Sequence, residues 1–278
     1  MTPLQIPRRT LIGAGLIMPL GFGAGSAAAQ SLSRFTGRTA GIGAVDHGGF
    51  DALLARRARA SADGVVRVDY AGWKRSAADR DALKRYIDLL TGLDPLALTR
   101  PEQFAYWANL YNALTIKVVV DAYPVASIRD IRTSRPLPGP WWKAITRVAG
   151  IDLSLNNIEH DILRKGWREP RVHYAVNCAS FSCPNLPLQA LRGVGLEAAL
   201  DAAARAYVNH SRGVRFEGEK LVVSSIYRWY GGDFGGTDAR VIAHLAQYAA
   251  PPLRARLQAV DRIARGAYDW SLNATPET

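Results

Sequence analysis

Thiols and imidazoles are scarce in this 278-residue chain, which has two cysteines, two methionines and five histidines. Two cysteines allow at most one internal disulfide, so a disulfide-stapled scaffold is excluded and a packed core has to hold the fold. Long apolar runs are missing beyond the first thirty residues, and no second hydrophobic span follows. Fixed-period repeats and low-complexity tracts are missing too, which excludes solenoid and propeller architectures. Acidic residues are outnumbered, 24 against 35 Lys and Arg, for a formal net charge of +11. That balance suits an anionic partner or plain solubility. The basic residues are scattered among "LLARRARA" (53–60), "RDIRTSRP" (129–136) and "LRARL" (253–257). No nucleic-acid-binding motif accompanies them, so nucleic acid is not an expected partner. The expected partner is a substrate or ligand of undefined class, anionic if the charge bears on it. No cofactor-binding motif stands out either.

What the first segment does hold is a charged start and a small apolar run. "MTPLQIPRRTLIGAGLIMPLGFGAGSAAAQ" places Arg8 and Arg9 before a Gly/Ala-rich stretch ending at Ala27-Ala28-Ala29. This is the layout of a signal peptide cleaved near Ala29. The paired arginines resemble a twin-arginine signal, and a general secretory signal shares the plan. The sequence therefore predicts a signal peptide over 1–29 and a periplasmic or secreted protein. Cleavage removes only Arg8 and Arg9 among the charged residues, lowering the net charge from +11 to +9. Residues 30–48 read as a loose Ser/Gly-rich lead-in, and 49–278 as a single globular domain with no transmembrane span.

Periodicity predicts helices at about 49–61, 77–91, 101–124, 155–165, 196–211, 225–230, 237–249 and 252–259. Strands are expected at 65–70, 145–149 and 171–176, with a hairpin over 214–224 turning at Glu217-Gly218. The fold class is α+β, a single helix-rich compact domain with a small, mostly antiparallel sheet.

The helix 101–124 carries apolar residues almost all round, so it is expected to be buried on most sides. Asn109 and Asn112 share one of its faces. Buried amides need partners, which predicts that they brace an irregular loop or line a polar pocket. In "SLNNIEHDILRKG" (154–166), Ser154 is the expected cap, and Glu159 falls inside the apolar arc set by Leu155, Ile158, Ile162 and Leu163. A carboxylate there is either bridged to arginine or part of a site. His160 lies at the edge of that arc.

Both cysteines fall in "HYAVNCASFSCP" (173–184). Cys178, with His160 and His173 near in sequence, has the makings of a thiol nucleophile. Histidine precedes cysteine and no long helix follows, so a papain-like arrangement would have to be a rearranged one. Cys178 and Cys183 enclose four residues, which a disulfide can also bridge. Bridge and reactive thiol are not fully exclusive. His160, His173, Cys178, Cys183 and Glu159 together would make a zinc ligand set at unfamiliar spacing. Asp233 and Asp269 sit among aromatics and glycines, where capping a turn is the expected role and orienting a histidine the other one. His47, His210 and His244 carry no suggestive spacing.

Five segments, "FAYWANLYNALTIKVV", "LSLNNIEHDILR", "RVHYAVNCASFSCPNL", "LVVSSIYRWYGGDFGG" and "YDWSLN", resemble the domain-of-unknown-function family 547 over about residues 76–273. That family occurs in many exported bacterial proteins and in plant leucine-zipper proteins. The resemblance implies a polar set of Asn109, Tyr111, Asn112, Glu159, His160, His173, Asn177, Cys178, Ser180, Cys183, Pro184, Asp233 and Asp269 without naming a reaction. The leading expectation is a thiol-dependent hydrolase or acyl transferase, with Cys178 as nucleophile, His160 or His173 as base and Glu159 balancing the histidine. Asn109, Asn112 or Asn177 would supply oxyanion donors. The alternatives are a binding module with a Cys178–Cys183 disulfide and an aromatic contact surface from "GPWW" (139–142) and Trp229-Tyr230, or a metal-dependent hydrolase.

Overall fold

A computed structural model describes residues 32–132 and 138–276. The expected signal peptide, residues 133–137 and the last two residues lie outside the described residues.

Helix α1 (Gly48–Arg57) turns Phe50, Leu53 and Leu54 inward at helical spacing. It runs into an antiparallel pair, β1 (Ala58–Ala60) and β2 (Val66–Val68). The Asp69 carboxylate accepts from the Gly72 N–H at 2.7 Å and caps α2 (Tyr70–Arg75). Ser76 caps α3 (Ala77–Thr91) in the same way. Next comes α4 (Arg100–Ala122), with proline in its first turn and every residue from Glu102 to Ile116 buried. Such a helix is the axis of the fold rather than a surface element.

The pair β3 (Thr146–Val148) and β4 (Ile151–Leu153) leads to the helical stretch that Ser154 opens, its hydroxyl accepting from the Asn157 N–H at 3.1 Å. This stretch is π-helical over Asn157–Leu163 and continues as α5 (Arg164–Trp167). The expected strand at 171–176 is instead a single turn of helix, α6 (Val172–Ala175). All four of its residues are buried, so apolar alternation there does not separate an inside from an outside. Irregular backbone then runs to α7 (Leu196–Val208), and Cys178 lies well before that helix starts.

The expected hairpin forms from β5 (Val214–Glu217) and β6 (Lys220–Ser224), but it turns at Gly218-Glu219, one residue later than expected, because Glu217 pairs with Lys220. After α8 (Ile226–Trp229), α9 (Asp238–Tyr248) and α10 (Pro251–Gln258), strand β7 (Arg265–Ala267) adds to β6 in parallel. Pairing is antiparallel everywhere else among the named strands, and helix outweighs strand, so the domain is α+β.

Apolar side chains collect in two clusters. One surrounds α4 and takes in Trp73, Trp107 and Leu110. The other lies under the C-terminal third and holds Tyr174, Tyr207, Tyr227, Phe234 and Leu245. Within residues 32–48, Phe35 meets Trp107 edge-on at 5.0 Å and His47 is buried. No helix of the described residues is long and apolar enough to cross a membrane.

Candidate active site

A cavity of about 290 Å³ opens between the two clusters, lined by Tyr111 and Val176 from one side and Ile226, Tyr230 and Tyr268 from the other. Glu159, His160, His173, Cys178 and Cys183 all line it. These side chains come from the π-helical stretch, α6 and the loop after it, so tertiary packing assembles the site.

The cysteine loop is irregular yet tied at nearly every residue. Asn112 on α4 donates its amide to the Ala175 carbonyl at 2.9 Å and accepts from the Asn177 N–H at 2.8 Å. The Asn177 side chain donates to the Pro184 carbonyl at 2.7 Å and accepts from the Ala179 N–H at 2.9 Å. Arg212, itself buried, donates to the carbonyls of Phe181 and Cys183 at 2.7 and 2.9 Å. Phe181 and Ser182 donate their N–H groups to the carbonyls of Ser271 and Asp269. Inside this frame Ala179 holds a left-handed φ of 61°, a conformation that costs a non-glycine residue on the order of 1 kcal/mol. Such a residue persists only where its surroundings dictate it, and here they fix the direction of its neighbour Cys178.

Both cysteines are free thiols, Cys178 half-buried and Cys183 buried. The Cys178 N–H donates to the Cys183 sulfur at 3.1 Å. The Cys178 sulfur stands 3.1 Å from the Ser180 hydroxyl and 3.2 Å from the Tyr268 hydroxyl, which are themselves 2.8 Å apart. A hydrogen bond from the Cys183 thiol is the largest effect on Cys178; burial opposes it, and the Ser180 and Tyr268 hydroxyls add to it, bringing the Cys178 thiol down to about 7. Burial and the neighbouring Cys178 push Cys183 the other way, well above its ordinary value. One sulfur is therefore poised as thiolate and the other holds its proton. Neither His160 nor His173 is among the hydrogen-bond partners of Cys178.

The histidines carry complementary protons. The Asp233 carboxylate stands 2.7 Å from His173 Nε2 and also receives Arg164 Nε at 2.5 Å and Nη2 at 3.0 Å. A carboxylate at Nε2 places the ring proton there and leaves the Nδ1 lone pair. Burial raises the Asp233 carboxyl, but the hydrogen bonds from His173 and Arg164 outweigh it and hold the group well below the usual carboxylate range. His173 also stacks on Tyr230 at 4.4 Å, and Arg164 lies over the same ring. At His160 the partners are reversed: Arg164 Nη1 donates to Nδ1 at 3.1 Å, so the proton of the neutral ring sits on Nε2. Burial lowers the His160 value and Glu159 opposes that, leaving the imidazole below its ordinary value. The π-helical widening, in which the Arg164 N–H reaches back to the Glu159 carbonyl, sets Glu159 and His160 on the cavity wall together. Burial first, and the Glu159 charge second, keep the Tyr111 phenol protonated beside that carboxylate.

The sequence places several of these groups and misplaces others. Among the described residues no arginine bridge to Glu159 forms, and the Arg164 guanidinium goes to Asp233. Asp233 takes the role of orienting a histidine, whereas Asp269 caps a turn, accepting from the Ser271 N–H at 2.8 Å. Asn109 braces the backbone at Leu191, donating at 2.8 Å and accepting at 3.0 Å, and like Asn112 it does not line the cavity. The amides of Asn109, Asn112 and Asn177 are thus engaged with main chain, and the donors on the cavity wall are Asn156, His160 and the hydroxyl and indole groups of its tyrosines and tryptophans. Among the described residues no group of three or more His, Cys, Asp and Glu side chains is placed to hold a metal ion, so the alternative zinc ligand set shares the cavity without a ligand arrangement.

The aromatic lining comes from two places the sequence had flagged and one whose role it missed. Trp141 and Trp142 belong to "GPWW", and Trp229 and Tyr230 to the motif around Asp233. Tyr268 and Trp270 flank Asp269 at a spacing of two, which in extended chain sends both to one side and the aspartate to the other. That alternation was the available signal. Trp270 stacks on Trp229 at 5.6 Å and meets Trp141 edge-on at 5.9 Å, making a continuous aromatic wall.

Fold and site together define a helix-rich α+β domain that presents a cysteine, two histidines and a glutamate in an aromatic cavity. Residues 95–208 match the family described as protein of unknown function, DUF547. The matched span includes α4, the π-helical stretch and the cysteine loop, and stops short of Asp233 and Tyr268. No curated protein and no solved structure matches the chain.

Proposed function

We propose that this protein is an exported cysteine-dependent acyl-transferring enzyme, hydrolysing or passing on an acyl group from an ester, thioester or amide. The observation that carries the reading is a half-exposed, thiolate-prone Cys178 on the same small cavity as His160, His173 and Glu159. Export rests on the paired-arginine and A-x-A layout of residues 1–29.

With the Cys178 value near 7, a large fraction of the thiol is ionised at neutral pH without a histidine to deprotonate it. The thiolate adds to the acyl carbonyl, and His160 Nε2–H, the Asn156 amide and the Tyr268 hydroxyl are among the cavity donors available for the oxyanion. Collapse expels the leaving group, which takes up a proton from water in the cavity, and leaves a thioester on Cys178. His173, its proton held on Nε2 by Asp233, offers Nδ1 to take the proton of water or of an acceptor hydroxyl or amine, which then releases the acyl group. Glu159 sits 3.9 Å from His160 Nδ1 and balances positive charge that develops there. The wall of Trp141, Trp229, Tyr268 and Trp270 favours a flat or apolar acyl portion.

The test is a p-nitrophenyl ester series of increasing acyl length. A burst of p-nitrophenol with an acyl adduct on Cys178, lost in Cys178→Ser, is the expected result. Saturable quenching of tryptophan fluorescence without product would favour the binding-module reading, to which the aromatic wall also lends itself.

A further inference from the structure

Acyl transfer uses one sulfur, and the cavity holds two. Cys183 is buried, lines the cavity, and stands close enough to Cys178 for its sulfur to accept the Cys178 N–H at 3.1 Å. The segment between them is fixed from both sides: by Arg212 on the Phe181 and Cys183 carbonyls, by the Asn177 side chain on the Ala179 N–H, and by antiparallel contact of Ser180 with Leu272. Two thiols held together in this way lose little further freedom on bridging. Their unequal exposure also divides the labour, since a reagent entering the cavity meets Cys178 first and cannot readily reach Cys183.

The geometry points to a second activity at this cavity, thiol–disulfide exchange with a low-molecular-weight disulfide, in which Cys178 attacks and Cys183 resolves. The Cys178 thiolate attacks one sulfur of the external disulfide. That S–S bond breaks, one thiolate leaves and takes up a proton, and Cys178 carries a mixed disulfide. The Cys183 thiol gives up its proton and attacks the Cys178 sulfur, expelling the second thiolate, which is protonated in turn. Two cysteine thiols are oxidised to one disulfide while the external disulfide is reduced to two thiols, so electrons and protons balance. A low-pKa entry thiol beside a buried, protonated resolving thiol is the asymmetry that such exchange needs. Ser180 and Tyr268, both at hydrogen-bonding distance from the Cys178 sulfur, stabilise it as attacking group in the first step and as leaving group when the bridge is reduced again.

The experiment incubates the fully reduced chain with oxidised glutathione at neutral pH, then unfolds it in alkylating agent and measures intact and peptide masses. The expected wild-type result is a chain two hydrogens lighter, free of glutathione, with no alkylated cysteine and a cross-linked 178–183 peptide. Cys183→Ser is expected to stop at a glutathione adduct on Cys178, and Cys178→Ser to take no glutathione on Cys183. A wild-type chain that keeps glutathione on Cys178 while Cys183 alkylates, or in which neither thiol is oxidised, overturns the inference. Acylation of the wild type by the aryl ester is a separate readout. Acylation without bridging sinks this activity alone, and bridging without acylation sinks the acyl-transfer reading alone.

Discussion

His47 and His173 each meet a carboxylate at hydrogen-bonding distance, 3.1 Å to Glu102 and 2.7 Å to Asp233, and both rings are almost wholly buried. They differ in their second nitrogen. His47 Nδ1 is 2.7 Å from the Tyr86 hydroxyl, so both ring nitrogens are engaged, and Glu102 is further committed to the N–H groups of Val45 and Gly193. That network fastens the chain before α1 and the loop before α7 to the buried helix α4. His173 instead belongs to a cavity wall and shares its aspartate with an arginine that also fixes His160. A histidine–acid pair is a brace when every polar atom is satisfied inside the protein, and a candidate base when one nitrogen faces a cavity.

The largest effect expected from breaking this contrast is at the nucleophile. Cys178→Ser should lower ester turnover by about three orders of magnitude or more, since a serine there has neither the acidity nor a base in contact. Next is Asp233→Asn, which removes the charge that fixes the His173 tautomer. We expect a loss of about 10²-fold in turnover, with a changed pH profile and little change in the rate of Cys178 alkylation. Glu102→Gln at the other pair should do the reverse: thermal or urea denaturation should show a loss of about 2–4 kcal/mol, with turnover per folded molecule within about twofold of wild type.

Smaller effects follow from titration. Alkylation of Cys178 should accelerate as pH rises through about 7 and level off above it, because the thiolate is the reacting form. Tyr268→Phe removes one donor to that thiolate and should move the midpoint up by about half a unit. His244, half-buried and 2.8 Å from the Tyr174 hydroxyl, is lowered to about 4, chiefly by desolvation. Its folded value is depressed, so the unfolded chain binds more protons between about pH 6.5 and 4. Stability should therefore fall as pH is lowered through that window, and urea midpoints measured from pH 7 to 4.5 should fall less steeply in His244→Gln.

Long periodic elements were legible in the sequence. Helix α3 falls on the predicted residues and α4 within two of them, because capping, proline placement and apolar spacing agree at those places. The strand expected at 171–176 was not, since a four-residue segment buried on all sides has no polar face to report its period. Strand β7 escaped because its "RGA" has no β-rich character and its pairing partner β6 is more than forty residues away. At the site, cysteines, histidines and Glu159 announced themselves by residue type in "HYAVNCASFSCP" and "NNIEHDILR". What one sequence could not carry was which aspartate would meet which histidine. Asp233 and Asp269 sit in similar aromatic settings, and only the packing of the Gly231–Phe234 turn against α6 puts the first beside His173.

The most direct test of the cavity-facing pair is the lifetime of the acyl adduct on Cys178. Wild type, Asp233→Asn and Glu102→Gln would be pulsed with the same p-nitrophenyl ester and followed by intact mass. All three should acylate at Cys178, with wild type and Glu102→Gln clearing the adduct at similar rates and Asp233→Asn retaining it about 10²-fold longer. Equal clearance in all three, or an adduct that persists when Cys178 is replaced by serine, would contradict the assignment of Cys178 as nucleophile and His173–Asp233 as its base.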